Sequence, residues 1–206
     1  GFDEINFDYI RFPSDGRLSL IDYPFYRSNI PKHQVMSQFF SYLHQQLKDF
    51  PAYYSADLFG LALWDPADDL NIGQRLLDAL PYFDYVCPMV YPSHYYPGFE
   101  GIDQPAKHPY RIITRTLEQA KKQLDDFIAN QQSMNNDETK KELAINNLSD
   151  YNYQKIRPWI QAFDMGAIYD RTLMCQQKQA ILDAGLDGWL YWNPYNNYAD
   201  RVFSCN

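Results

Sequence analysis

Two short strand-like runs in this 206-residue chain carry an aspartate where the run gives way to a loop: Asp8 in DEINFDY and Asp57 in AYYSAD. Two carboxyl groups so placed can divide acid and base work across one bond. Hydrolysis of a glycosidic bond needs such a pair, one protonated to assist the leaving group and one ionised to attack or to activate water. Consecutive strands of a parallel barrel are neighbours, so a carboxyl separation of about 5–6 Å is expected, which favours retention. Asp8 is then the nucleophile, with Arg11 close behind it as a cation, and Asp57 the acid/base, its carboxyl pushed up by Phe59 and the neighbouring carboxylate. An aspartate at a strand end serves equally well as a helix cap or loop acceptor, and that reading stands beside the catalytic one.

Three further run ends present groups suited to a polyhydroxylated ligand: Tyr91 and His94 in MVYPSHYY, Gln161 and Asp164 in QAFD, and Trp192 and Asn193 in YWNPYNNY. With Arg11 they form the expected substrate-binding set. Tyr91, Trp159 and Trp192 are sugar platforms or core aromatics, and His94 is a substrate contact or loop packing. Asp3 and Glu4, at the start of the first run, are expected on the opposite, solvated face of the fold. Asp8, Asp57 and His94 could instead hold a hydrolytic metal, but no His-x-His or His-Glu-x-x-His spacing supports that, and neither metal nor cofactor is expected.

Five segments must position these groups: Asp3–Tyr9, Ala52–Asp57, Tyr85–Tyr91, Ile156–Phe163 and Gly188–Trp192, each a brief apolar or aromatic run of buried parallel-strand type. Helical patterns separate them. The clearest spans Pro31–Lys48, with Val35, Phe39, Leu43 and Leu47 at four-residue steps; the others cover Arg111–Ile128, Gln74–Leu80 and Leu173–Ala184. Five strand–helix alternations indicate one domain built on a parallel sheet wrapped by helices. The polar stretch 130–152 reads as a surface insertion with room for a short helix.

Composition narrows the partner. A formal charge of −8 argues against nucleic acid. No apolar run reaches the roughly 20 residues of a membrane span. The 18 Tyr, 13 Phe and 4 Trp give a mild preference for carbohydrate, because aromatic faces stack on the C–H faces of sugar rings. Cys87, Cys175 and Cys205 show neither metal spacing nor an even disulfide framework, and are expected to be buried or incidental thiols.

Taken together, FDEINFDYIRFPSDG, SADLFG, DYVCPMVYPSHY, RPWIQAF and GLDGWLYWNPYNNY closely resemble the glycoside hydrolase family long catalogued as a domain of unknown function and related to the alpha-amylase type of barrel. The resemblance spans essentially the whole chain. It implies a (β/α)8 TIM barrel, present here as an incomplete barrel in which the five segments are strands four to eight and an N-terminal barrel segment precedes Gly1. It also implies a polysaccharide or oligosaccharide substrate and an extracellular or cell-envelope location. In alpha-amylase-type barrels the nucleophile follows strand four and the acid/base strand five, the positions of Asp8 and Asp57. The amylase pattern has Glu at the second position and a further Asp after strand seven, whereas here stand Asp57 and, in QAFD, Gln161 with Asp164 beyond. FDEINFDYI is also similar to the catalytic strand of chitinase-like barrels, but the catalytic Glu of that pattern would fall on Ile10, which carries no proton. A catalytically silent carbohydrate-binding or structural barrel is the competing reading.

Overall fold

The computed structural model describes residues 1–27, 29–136, 145, 147–198 and 205. Five strands, β1 (Glu4–Phe7), β2 (Tyr53–Phe59), β3 (Tyr85–Val90), β4 (Trp159–Gln161) and β5 (Leu190–Trp192), pair in parallel in simple sequential order. The connections carry α1 (Lys32–Leu47), the short α2 (Leu76–Ala79), α3 (Pro109–Asn136) and α4 (Arg171–Asp183). The chain thus forms the alternating α/β unit expected, with each expected strand in place.

Side-chain alternation divides the sheet into two faces. Tyr54, Ala56, Leu58, Val86, Val90 and Ile160 point out and are buried against the helices, in one core with Phe40, Leu76, Ile113, Leu117 and Ile181. Glu4, Asn6, Ser55, Asp57, Cys87 and Trp159 point the other way. The sheet must curl, because an ion pair joins Glu4 on β1 to Arg157, which leads into β4, and Trp159 on β4 reaches Asp57 on β2. In a flat sheet β1 and β4 lie about 14 Å apart at roughly 4.8 Å per strand. The result is a curled half-barrel whose concave face is polar and aromatic.

Buried glutamines fasten sheet to helices. Gln177 of α4 accepts the Gln161 backbone N–H at 2.9 Å and donates to the Gln161 carbonyl at 2.8 Å. Gln74 accepts Phe59 N–H at 2.9 Å and donates to the Asp57 carbonyl at 3.0 Å.

Two expectations about the helices need correction. In α1 the stripe that faces the core is Met36, Phe40, Leu43 and Leu47, while Phe39 is 39% exposed. Four-residue steps drift round a 3.6-residue helix, and the 4-3-4 spacing stays on one side. Helix α3 runs to Asn136, two turns beyond the expected end, because Gln131 is buried and its side chain accepts Ile145 N–H at 2.8 Å. Part of the stretch expected as an insertion, 137–144 with 146, lies outside the described residues. Among the described residues no helix is long and apolar enough to cross a membrane.

Candidate active site

Concave-face side chains stack in layers from the strand starts toward the strand ends. In the lowest layer Arg157 pairs with Glu4, lies 4.2 Å over the Tyr85 ring and approaches Cys87 Sγ at 3.9 Å. The expectation that Glu4 is solvated and turned away is therefore wrong: strand parity places it under Asn6 and Asp8, and Ser55 Oγ donates to it at 2.6 Å. Burial raises its pKa, but the bonds from Arg157 and Ser55 outweigh burial and hold it below the usual carboxylate value.

Asp57 occupies the middle layer. It sits within β2, two residues short of the strand end, which is why it is only 5% exposed rather than loop-borne as expected. Its Oδ1 accepts two hydrogen bonds, from Trp159 Nε1 at 2.7 Å and Asn6 Nδ2 at 2.9 Å. Desolvation drives its pKa up to about 6 against those two bonds, and the charge of Asp8 pushes the same way while Arg157 opposes. The expected direction holds, with desolvation and Asp8 as its causes.

Above it opens a cleft of about 670 Å³. Asp8, Arg11, Tyr91, His94 and Trp192, all expected site residues, line it with Asp57. Asp8 lies just past β1, exposed, where the chain turns sharply through Tyr9 at φ 56°, and its Oδ1 accepts the Tyr9 N–H at 2.7 Å. Arg11 is not its ion-pair partner. The guanidinium stacks at 4.7 Å on Phe59 and 5.1 Å on Tyr9, donates to Phe12 O at 3.1 Å and Ser14 Oγ at 3.0 Å, and lies 3.9 Å from Asp15. It braces the loop that carries Asp8. Tyr91 is buried; desolvation, then the charges of Asp57 and Asp8, raises its hydroxyl pKa, so it stays a neutral donor. His94 is at the rim, 3.1 Å from Ser93 Oγ and ring-to-ring with Tyr91 and Phe163, its pKa lowered by burial. Trp192, 41% exposed, meets Trp159 edge-on at 6.1 Å.

Three expected substrate contacts are placed elsewhere. Gln161 is fully buried; its amide donates to Phe163 O at 3.0 Å and accepts Ser93 N–H at 3.1 Å, so it ties two loops together. Asn193 is buried too, donating to Ala162 O at 2.7 Å and accepting Tyr195 N–H at 2.8 Å. Asp164 accepts Tyr169 N–H at 2.8 Å in its own turn and does not line the cleft. Conversely, Asn6 and Trp159, as the two donors that fix Asp57, were not foreseen in that role. Asn6 was findable, since Glu4, Asn6 and Asp8 alternate on one strand face. Trp159 was not, because its bond crosses the barrel. Among the described residues no group of three or more His, Cys, Asp and Glu is arranged to hold a metal ion.

The strand ends thus gather Asp57, Asp8 and aromatic side chains round one cleft, on the face where parallel α/β barrels carry their active sites. The chain belongs to the family described as "Putative glycosyl hydrolase domain", whose profile matches residues 1–198. Among solved structures it is similar to the glycoside hydrolase domain of PgaB (BpsB) from Bordetella bronchiseptica, with a TM-score of 0.50 and 17% identity over 82% of this chain. The match spans 40% of that chain. At that identity the likeness speaks for the fold. No curated protein matches the chain.

Proposed function

We propose that the domain hydrolyses glycosidic bonds in a polysaccharide or oligosaccharide, with Asp57 as general acid/base and Asp8 as the carboxylate that attacks the anomeric carbon. The carrying observation is the state of Asp57: a buried carboxyl with Oδ1 held by two donors, its affinity for protons raised into the range where a side chain can hold and release one near neutral pH. With Oδ1 engaged as an acceptor, Oδ2 is left to carry the proton toward a leaving oxygen. Asp8, one residue past β1 and exposed to the cleft, supplies the second carboxylate that such chemistry requires.

Tyr91 and Trp192 form the aromatic walls against which a pyranose ring stacks, and His94 and Arg11 lie within reach of hydroxyl groups at the mouth. On this reading the five strands correspond to strands four to eight of a (β/α)8 barrel, and retention follows if the carboxyl groups stand about 5–5.5 Å apart in the complex. An extracellular or envelope glycan is the substrate class proposed.

The test is hydrolysis of a panel of β- and α-linked polysaccharides, read as reducing ends released, by wild type, Asp57→Asn and Asp8→Asn. Each variant is expected to lose about 10²–10⁴-fold in rate while retaining glycan binding. Wild-type rates in both variants would sink the assignment. Binding with no hydrolysis by wild type on any glycan would favour a silent carbohydrate-binding barrel.

A further inference from the structure

We infer that Glu4, Ser55 and Asn6 form a directional hydrogen-bond relay, anchored on Arg157, that fixes which way the Asn6 amide faces and so makes it a donor to Asp57; all three are positioning residues. The inference rests on the reading of Asp57 as the acid/base but is drawn from a separate set of contacts.

The direction follows from counting protons. Glu4, ion-paired with Arg157, is acceptor-only. Ser55 has one hydroxyl proton, and its Oγ lies 2.6 Å from Glu4 Oε1, so that proton is directed to Glu4. Toward Asn6, at 2.8 Å, the same oxygen can then only accept. Asn6 must therefore present its NH₂ group rather than its carbonyl to Ser55, and the second N–H of that group points at Asp57 Oδ1, 2.9 Å away. A flipped amide would set its oxygen against Ser55 Oγ, whose only proton is already given to Glu4, and against Asp57 Oδ1, which has none to give when ionised. The charge on Glu4, two same-face positions below Asp8 on the β1 side, thus dictates an orientation that bulk packing would leave open. Arg157 has a second effect: partly buried and paired, its positive charge is offset by Glu4 and its pull on Asp57 is limited.

The charged and titratable groups that face Asp57 are Glu4 and Asp8 from the β1 side, Cys87 and Tyr91 from β3 and its loop, and Arg157 from the approach to β4. Arg11 and His94 sit above it at the mouth. Two substitutions perturb the relay with opposite sign. Ser55→Ala frees the amide to turn and removes a donor that favours ionised Asp57, so the Asp57 midpoint rises, by about 0.7 of a pH unit or fivefold in proton affinity for one hydrogen bond. Glu4→Gln keeps an acceptor for Ser55 but uncovers the Arg157 charge, so the midpoint falls by about half a unit or more.

The measurement is a pH titration of the carboxyl resonances of the protein labelled with ¹³C at aspartate Cγ, with Asp57 assigned by the signal lost in Asp57→Asn. It needs no substrate. Wild type is expected to titrate near 6. Ser55→Ala should move up, Glu4→Gln down, and Ser55→Thr, which restores the hydroxyl, should return to the wild-type midpoint. If Glu4→Gln does not fold, Arg157→Met, which removes the cation, should move the midpoint up. General loosening admits water and lowers the midpoint in every variant, so a fall in Ser55→Ala overturns the relay, as do unchanged midpoints or a Ser55→Thr variant that shifts like Ser55→Ala. Midpoints that move as stated alongside hydrolysis insensitive to Asp57→Asn would support the relay and overturn the catalytic assignment alone.

Discussion

At the scale of single residues, the feature that suits Asp57 to acid/base work should cost stability. Its folded pKa of about 6 lies above the ordinary 3.8, so the carboxyl favours folding while protonated. That contribution is fully present below the ordinary value and is lost as pH rises through about 6, because the ionised form is easier to hold in the unfolded chain. A shift of about two units corresponds to about 3 kcal/mol at a site this buried. Asparagine is neutral at every pH and keeps an oxygen for Asn6 and Trp159 to donate to. Asp57→Asn is therefore expected to be more stable than wild type at pH 8, by about 2–3 kcal/mol, and to lose that advantage by pH 4, while hydrolysis is lost throughout. Urea unfolding of both proteins at the two pH values checks this; a stability difference that does not change with pH would refute it.

At the scale of elements, the backbone under the cleft leaves one small residue no latitude. Gly60 opens the 3₁₀ turn Gly60–Leu63 that follows β2, and a Cβ there would sit 2.6 Å from the Met89 carbonyl oxygen and 2.8 Å from the Tyr95 hydroxyl. The first neighbour is β3 backbone, which cannot swing aside as a side chain can. Gly60→Ala should cost about 1–3 kcal/mol and displace Leu61 at the cleft wall, read as a lower urea midpoint with an unchanged slope. An unchanged midpoint would mean that the turn gives way freely. Constraints of this kind explain what the sequence made legible. All five strands could be read because each is a short apolar run facing helices on one side, and Asp8, Asp57, Tyr91, His94 and Trp192 could be placed together because parallel strands gather their ends. Gln161 and Asn193 were misread because a polar residue at a strand end looks the same whether it faces a ligand or caps a neighbouring loop; only the partners Ser93, Phe163 and Ala162, distant in sequence or hidden by chain folding, separate the cases. Glu4 was misread for a related reason. An ionic residue at a strand start is solvated in most folds, and its partner here lies 153 residues away.

At the scale of the whole molecule, the last β-strand and the chain beyond it are tied to the helical layer by a bond that the cysteine count concealed. Three cysteines gave no parity argument, and the expectation of buried or incidental thiols holds only for Cys87, which is buried and free. Cys175 on α4 and Cys205 form a disulfide, with Cα atoms 5.4 Å apart at a sequence separation of 30. The pairing could not be read from spacing, since it depends on Cys205 lying beside α4; Lys178, one turn along α4, donates to the Cys205 carbonyl at 2.9 Å at the same place. A loop of this length is expected to add about 3–4 kcal/mol by limiting the unfolded chain. The loop it closes contains β5 and Trp192, so its loss should loosen one aromatic wall of the cleft before the carboxyl pair on β1 and β2. Disulfides of this kind persist in oxidising compartments, in keeping with the extracellular or envelope site proposed for the substrate. Protein folded under oxidising conditions and then denatured without reductant should therefore react with one equivalent of a thiol reagent, from Cys87, and with three after reduction. Cys175→Ser should lower the unfolding free energy by about 3–4 kcal/mol and weaken glycan binding at the Trp192 wall more than it alters the Asp57 titration. Three reactive thiols without reductant would refute the disulfide itself, and an Asp57 midpoint that shifts as far in Cys175→Ser as in Ser55→Ala would show that the two walls of the cleft are not separately supported.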